Sequence, residues 1–127
     1  MNVVVDTNVL VSALLNPNGL PAKILQFVFE QKIKLLCDNR IFLEYHKVLQ
    51  RKKFHFDNGL IVYLLNFIKI EAKFIDNVMP QDVMFNDEDD KKFYEVFKTG
   101  QAHFLITGNI KHFPKEKGII TLTEFFQ

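Results

Sequence analysis

The stretch VVVDTN (residues 3–8) decides the fold class of this chain. Three consecutive valines form a short apolar run, which ends on Asp6, Thr7 and Asn8. A short continuous apolar run is typical of a strand buried on both faces, as in a parallel sheet. Ligands of open parallel sheets bind beyond the carboxyl ends of the strands, so Asp6 is predicted to face such a crevice. The alternative is that Asp6, Thr7 or Asn8 merely caps the helix that follows.

In the rest of the chain, short apolar runs alternate with segments whose apolar residues recur with the spacing of a helix. The predicted strands cover residues 3–5, 34–38, 70–75, 103–107 and 117–121. The predicted helices cover residues 9–15, 22–31, 39–52, 57–68, 89–98 and 122–126. This alternation predicts a single α/β domain, residues 1–127, in which helices cover both faces of a central parallel sheet.

The composition excludes several classes of protein. The chain is 48% apolar and 24% charged, which is typical of a globular protein rather than a disordered or fibrous one. No apolar run reaches the ~18 residues of a membrane span, and no basic segment precedes an early apolar block, so the expected location is the cytoplasm. The only cysteine, Cys37, cannot form an internal disulfide and is predicted to be a small buried hydrophobe.

The acidic segment NDEDD (residues 86–90) opens a predicted helix, and helical geometry distinguishes its members. At ~100° per residue, the aromatic side chains of this helix form one stripe: Phe93, Tyr94 and Phe97. Asp90 lies on the line of that stripe, whereas Asp87 or Asp89 can cap the helix, so Asp90 is predicted to point inward and be available for a cation. Three charged residues are predicted to share the opposite, solvated face: Lys91, Lys92 and Glu95.

Two further polar residues are candidates for the same site. Glu44 lies on the flank of the apolar stripe of helix 39–52, where a long carboxylate can reach a cleft. The alternative is an exposed ion pair with Arg40 or Lys47, one turn away. Asn109 follows the strand at 103–107 and opens onto the same sheet edge as Asp6, although, taken alone, an ordinary turn is the favoured explanation of its position.

Three segments resemble the successive motifs of PIN-domain ribonucleases: VVVDTNVLVSALL (3–15), EYHKVLQRKKF (44–54) and NDEDDKKFYEVFKTGQAHFLITGNIKHFP (86–114). The resemblance covers essentially the whole chain and is strongest to the toxin components of bacterial toxin–antitoxin systems, related to the VapC toxins. It implies a three-layer α/β/α fold around a central parallel sheet. It also implies acidic residues that bind Mg²⁺ or Mn²⁺ at one edge and cleave single-stranded RNA by metal-assisted hydrolysis.

The resemblance also assigns roles to residues of this chain. The implied catalytic set is Asp6, Glu44, Asp90 and Asn109, of which Asp6, Glu44 and Asp90 are metal ligands, directly or through water. Thr7, Asn8 and Asp87 are supporting residues. Hard cations such as Mg²⁺ prefer oxygen ligands, and crowded carboxylates repel one another without a cation. The family often has an aspartate where this chain has the neutral Asn109, so we expect one tightly held ion, with a second arriving with substrate if at all.

The basic residues suggest where RNA phosphates bind. The candidates are Arg51, Lys52, Lys53, Lys111 and His112.

Family kinship further implies a homodimer and a cognate antitoxin protein. Two other functions stay open: a PIN domain that binds RNA or protein without cutting, and a phosphatase with Asp6 as nucleophile. The phosphatase is disfavoured because such enzymes usually carry a second aspartate two residues later, where this chain has Asn8.

Overall fold

The structure, a computed structural model, describes residues 1–127 and contains one sheet of five parallel strands. The strands are β1 (Asn2–Val5), β2 (Lys34–Cys37), β3 (Lys73–Phe74), β4 (Phe104–Ile106) and β5 (Ile119–Ile120). Their order across the sheet is β3-β2-β1-β4-β5, and every neighbouring pair is parallel. The predicted α/β class with a central parallel sheet is confirmed.

Six α-helices connect or follow these strands. They are α1 (Thr7–Leu15), α2 (Leu20–Phe29), α3 (Asn39–Leu49), α4 (Asn58–Glu71), α5 (Glu88–Thr99) and α6 (Leu122–Phe125). The chain moves outward from β1 to β3 and then returns past β1 to β4. Because crossovers between parallel strands are right-handed, this reversal puts α5 on the face opposite α1 to α4.

The order of the strands makes the boundary between β1 and β4 the topological switch point of the sheet. The two strands pair in register, with Val5 opposite Ile106, and the Asp6 N–H donates to the Ile106 carbonyl at 3.0 Å. The next residues, Asp6 and Thr107, therefore leave the sheet side by side at its carboxyl edge. That edge is where open α/β sheets bind their ligands.

Strand β1 is surrounded by buried side chains of the hydrophobic core. Val3, Val4 and Val5 are fully buried, as expected for a central strand covered on both faces. Tyr45 of α3 is also fully buried, and its hydroxyl donates to the Val5 carbonyl beside Asp6. Cys37 at the end of β2 is buried as predicted, and burial raises the pKa of its thiol to about 12.

Some element boundaries differ from the prediction. Helix α1 begins at Thr7, two residues early, because the chain turns immediately after Asp6. Helix α4 continues to Glu71, so the strand predicted over 70–75 shrinks to Lys73–Phe74. The apolar spacing at the end of α4 suits a helix as well as a strand, and the buried residues of α4 follow the helical repeat: Ile61, Leu64, Leu65 and Ile68. No helix combines the length and apolar character that crossing a membrane requires.

Candidate active site

Asp6 is a buried carboxylate at the carboxyl edge of the sheet. It occupies the N-cap position of α1, yet its side chain makes no capping hydrogen bond. Instead its Oδ2 accepts a hydrogen bond from the Thr107 hydroxyl at 2.7 Å, and the residue is only 4% exposed. Burial raises the pKa of Asp6, and the negative charges of Asp90 and Glu44 raise it further, against the opposing effect of the Thr107 hydrogen bond. The capping alternative is therefore wrong for the Asp6 side chain.

Thr107 is a residue of the site that sequence analysis missed. It is fully buried directly after β4, and its hydroxyl also accepts the Asn109 N–H at 2.9 Å. One hydroxyl thus fixes both the carboxylate of Asp6 and the turn that carries Asn109. The signal in the sequence was a polar residue immediately after the apolar run FLI, the same pattern that singled out Asp6 after VVV.

Asp90 lies in the first turn of α5, and its side chain is only 16% exposed, in agreement with the helical projection. Asp87 is the N-cap residue and accepts the Asp89 N–H at 3.0 Å, which leaves Asp90 free of the capping role. The His112 Nδ1 lies 3.2 Å from Asp90 Oδ2. Burial raises the pKa of Asp90, the charge of Asp87 adds to that effect, and His112 and Lys92 oppose it.

The side chain of Glu44 on α3 contacts one residue of α1 and one residue of α5. The Thr7 hydroxyl donates to its Oε2, and the Lys92 Nζ lies 2.7 Å from its Oε1. Neither Arg40 nor Lys47 pairs with it, so the alternative of an exposed ion pair within α3 is wrong. Both carboxylate oxygens of Glu44 are engaged by the protein.

The prediction that Lys91, Lys92 and Glu95 share a solvated face is wrong for two of them. Glu95 is buried, and its Oε1 pairs with Arg40 Nη1 at 2.9 Å. The Lys92 side chain is 12% exposed because it reaches Glu44. The helical projection groups these residues correctly, but that flank of α5 packs against α3 rather than facing water.

The contact between α3 and α5 is therefore ionic. Arg40 and Glu44 lie one turn apart on α3, and each pairs with an opposite charge on α5. Arg40 also binds Asp38, the buried N-cap residue of α3, at 2.7 Å. The pair of Arg40 and Glu95 was not predicted, because these residues lie 55 positions apart in the chain.

The remaining predicted site residues lie around this centre. Asn109 is partly exposed, and its side chain makes no capping hydrogen bond to the following turn at Ile110–His112. Asn8 is exposed in the first turn of α1. Lys111 is exposed in the same turn as His112.

A groove of about 700 Å³ runs between α3 and α5 beside Glu44. Its basic lining residues are Arg40, Lys47, Arg51, Lys91 and Lys92, together with four acidic residues. Arg51 also borders a second cavity of about 550 Å³, which Lys52 and Phe56 line. The exposed residues Lys47, Arg51, Lys52 and Lys53 form no ion pair. The groove thus connects Glu44 with exposed basic residues that form no ion pair, and Asp6 and Asp90 are not among its lining residues.

The carboxylates of the site could hold a hard cation such as Mg²⁺ with only a few protein ligands. No group of three or more His, Cys, Asp or Glu side chains is arranged to hold a metal ion, so the three predicted carboxylates do not form a ready-made cage. Asp6 and Asp90 nevertheless interact electrostatically, and both have raised pKa values. Mg²⁺ commonly binds one or two carboxylates and keeps several waters, so this pair suits it.

The carboxylates at the switch point of this parallel sheet lie where open α/β sheets bind their ligands, near a groove lined by basic and acidic side chains. Residues 2–111 match the PIN domain family, and the chain belongs to it. PIN domains are generally nucleases, and membership supports a nuclease function for this chain. An uncharacterized protein of Methanocaldococcus jannaschii is 37% identical over 116 residues, covering 86% of this chain and 71% of that protein. No solved structure gives a significant match.

Proposed function

We propose that this protein is a metal-dependent endoribonuclease that cleaves single-stranded RNA by hydrolysis. The observation that carries the proposal is the pair of carboxylates Asp6 and Asp90. Burial and neighbouring negative charge raise the pKa of each, which makes their ionised forms costly without a cation. Groups held in this way at a crevice are typical of functional sites.

Asp6 and Asp90 would hold Mg²⁺ or Mn²⁺. When bound, such an ion polarises a phosphodiester and lowers the pKa of an attacking water. Thr107 orients Asp6, and His112 orients Asp90. Glu44, whose oxygens are engaged by Thr7 and by the positively charged Lys92, would act through water. Asn109 has a neutral side chain, which favours one tightly held ion, with a second arriving with substrate if at all.

RNA would enter through the groove between α3 and α5. The proposed phosphate contacts are Arg51 in the lining of this groove, the neighbouring Lys52 and Lys53, and Lys111 and His112, of which His112 lies beside Asp90. Each contact with a phosphate displaces a counterion, so binding weakens as the salt concentration rises. Phosphate contacts position the chain without reading its sequence, and base contacts would supply any specificity.

The test is cleavage of an end-labelled single-stranded RNA by purified protein. We expect cleavage with Mn²⁺ or Mg²⁺, no cleavage with a chelator, and loss of cleavage in Asp6→Asn and Asp90→Asn. Asp82→Asn is the matched control, since Asp82 is exposed and outside the site. The proposal fails if metal-replete protein leaves RNA intact, or if both site variants cut as well as Asp82→Asn. RNA binding without cleavage would instead support a PIN domain that only binds.

We further propose that the protein is the toxin of a toxin–antitoxin pair and forms a homodimer in the cytoplasm. The resemblance of its motifs to such toxins supports the first part. A largely apolar groove of about 440 Å³, lined by residues that include Leu14, Leu25, Phe29 and Leu60, suits a protein partner. Expression should arrest growth in the wild type and not in Asp6→Asn. Light scattering should give twice the mass of the chain, and a monomer would contradict the dimer.

A further inference from the structure

Lys92 is a lysine held inside the site by two protein acceptors. Its side chain is 12% exposed, its Nζ lies 2.7 Å from Glu44 Oε1, and it also donates to the Asp89 carbonyl. A lysine ammonium has three N–H donors, so one donor remains for a group in the groove that Lys92 lines. Lysine is rarely buried to this extent without a specific partner.

The charge of Lys92 balances that of the site. Asp6, Glu44 and Asp90 bring three negative charges together, since Asp90 and Glu44 both raise the pKa of Asp6. Lys92 contributes one positive charge at Glu44. With His112, which lies 3.2 Å from Asp90 Oδ2, counted as neutral, two negative charges are left, which equals the charge of one divalent cation. Asp87 also acts on Asp90, but it is exposed, so solvent screens it more strongly.

The contacts of Glu44 also favour a single divalent ion at the site. Lys92 holds one of its oxygens and Thr7 holds the other, so an ion bound directly to Glu44 would share an oxygen with one of these partners and would be repelled by the Lys92 ammonium group. Of the three carboxylates, Asp6 and Asp90 have no lysine or arginine side chain as a partner.

We propose that Lys92 takes the place of a second metal ion: its ammonium group holds Glu44 and restricts the site to one divalent ion on Asp6 and Asp90. This inference rests on the proposed function, since it requires a site that binds divalent ions. Lys92 also brings to the groove a fixed positive charge for a phosphate oxygen, the charge that a second ion would otherwise supply.

The test counts Mn²⁺ bound to metal-free protein by titration, with free Mn²⁺ read from its paramagnetic resonance signal. The wild type should bind one equivalent. Lys92→Met keeps the length and apolar stem of the side chain but frees Glu44, so it should bind a second equivalent, or bind the first about tenfold more tightly. Lys91→Met is the matched control, because Lys91 lines the same groove without an ion pair, and it should match the wild type. Lys92→Arg keeps the charge and should also bind one equivalent.

Glu44→Gln provides a second measurement that does not depend on the stability of Lys92→Met. It should still bind one equivalent, because Glu44 is not a direct ligand in this arrangement. Circular dichroism confirms that each variant is folded. Two equivalents in the wild type, none in folded Glu44→Gln, or an unchanged titration in Lys92→Met would each overturn the role of Lys92 and leave the nuclease proposal standing. A wild type that binds no Mn²⁺ would overturn both.

Discussion

Replacing Thr107 with valine removes the one hydroxyl that holds the Asp6 carboxylate. Valine keeps the shape of threonine, so the packing of this fully buried position changes little. The change removes the donor to Asp6 Oδ2 at 2.7 Å and the acceptor of the Asn109 N–H at 2.9 Å. The variant therefore isolates the hydrogen bonds that link the ends of β1 and β4.

The expected loss of stability follows from these two bonds. A hydrogen bond to a charged group contributes about 1.5–3 kcal/mol, and a buried acceptor left without a donor costs a similar amount. The Asn109 amide adds little, because Asn109 is partly exposed and water can replace the lost acceptor. We expect Thr107→Val to lower the free energy of unfolding by about 2 kcal/mol at neutral pH. For a chain of this length the melting temperature should fall by about 8 °C.

Urea denaturation of metal-free protein measures this change, and its pH dependence identifies the cause. The Thr107 hydroxyl lowers the pKa of Asp6, so the bond favours the ionised carboxylate. Its contribution is therefore largest above the pKa of Asp6 and shrinks as the pH falls through it. Thr107→Ser is the control, since it keeps the hydroxyl and loses only a methyl group. A loss below about 0.5 kcal/mol, or a loss that does not change with pH, would refute the reasoning.

Two further predictions concern the other charges of the site. The pKa values of Asp6 and Asp90 are raised by folding, so their contribution to stability is present below the unfolded pKa of about 3.9 and is lost as the pH rises through the folded values. Urea unfolding of metal-free protein should show this decline toward neutral pH, and Asp6→Asn should flatten it; an equally steep decline in the variant would count against it. Arg40→Met leaves the buried Asp38 and Glu95 unpaired and should cost about 1–2 kcal/mol, reduced from the value for a fully buried pair because Arg40 is half exposed. An unchanged denaturant midpoint would show that water satisfies both carboxylates.

Much of the fold was predictable because the sheet is parallel and buried. Strands covered on both faces are continuous apolar runs, which is why β1, β2 and β4 were recognised from VVV, KLLC and FLI. The two-residue strands β3 and β5 are too short for their own signal to set their limits. The inward position of Asp90 was also predictable, because it depends only on the helical repeat and the aromatic stripe beside it.

The surroundings of α5 were not predictable in this way. A helical projection gives the angle between two side chains about the axis, but not what lies opposite them. Lys92 and Glu95 were correctly placed on one flank and wrongly assigned to solvent, since α3 covers that flank. Thr107 was missed for a related reason: nothing within its own segment shows that Asp6 lies beside it.

The sequence by itself determined that an acidic residue ends a buried parallel strand and that a second acidic residue points inward from a later helix. These are local properties, set by strand burial and by the helical repeat. Only the tertiary structure decided that Thr107 holds the first carboxylate and that Lys92 neutralises Glu44. Those contacts join residues 101 and 48 positions apart. The order of the strands and the packing of α5 against α3 create them, and neither is encoded in a local pattern.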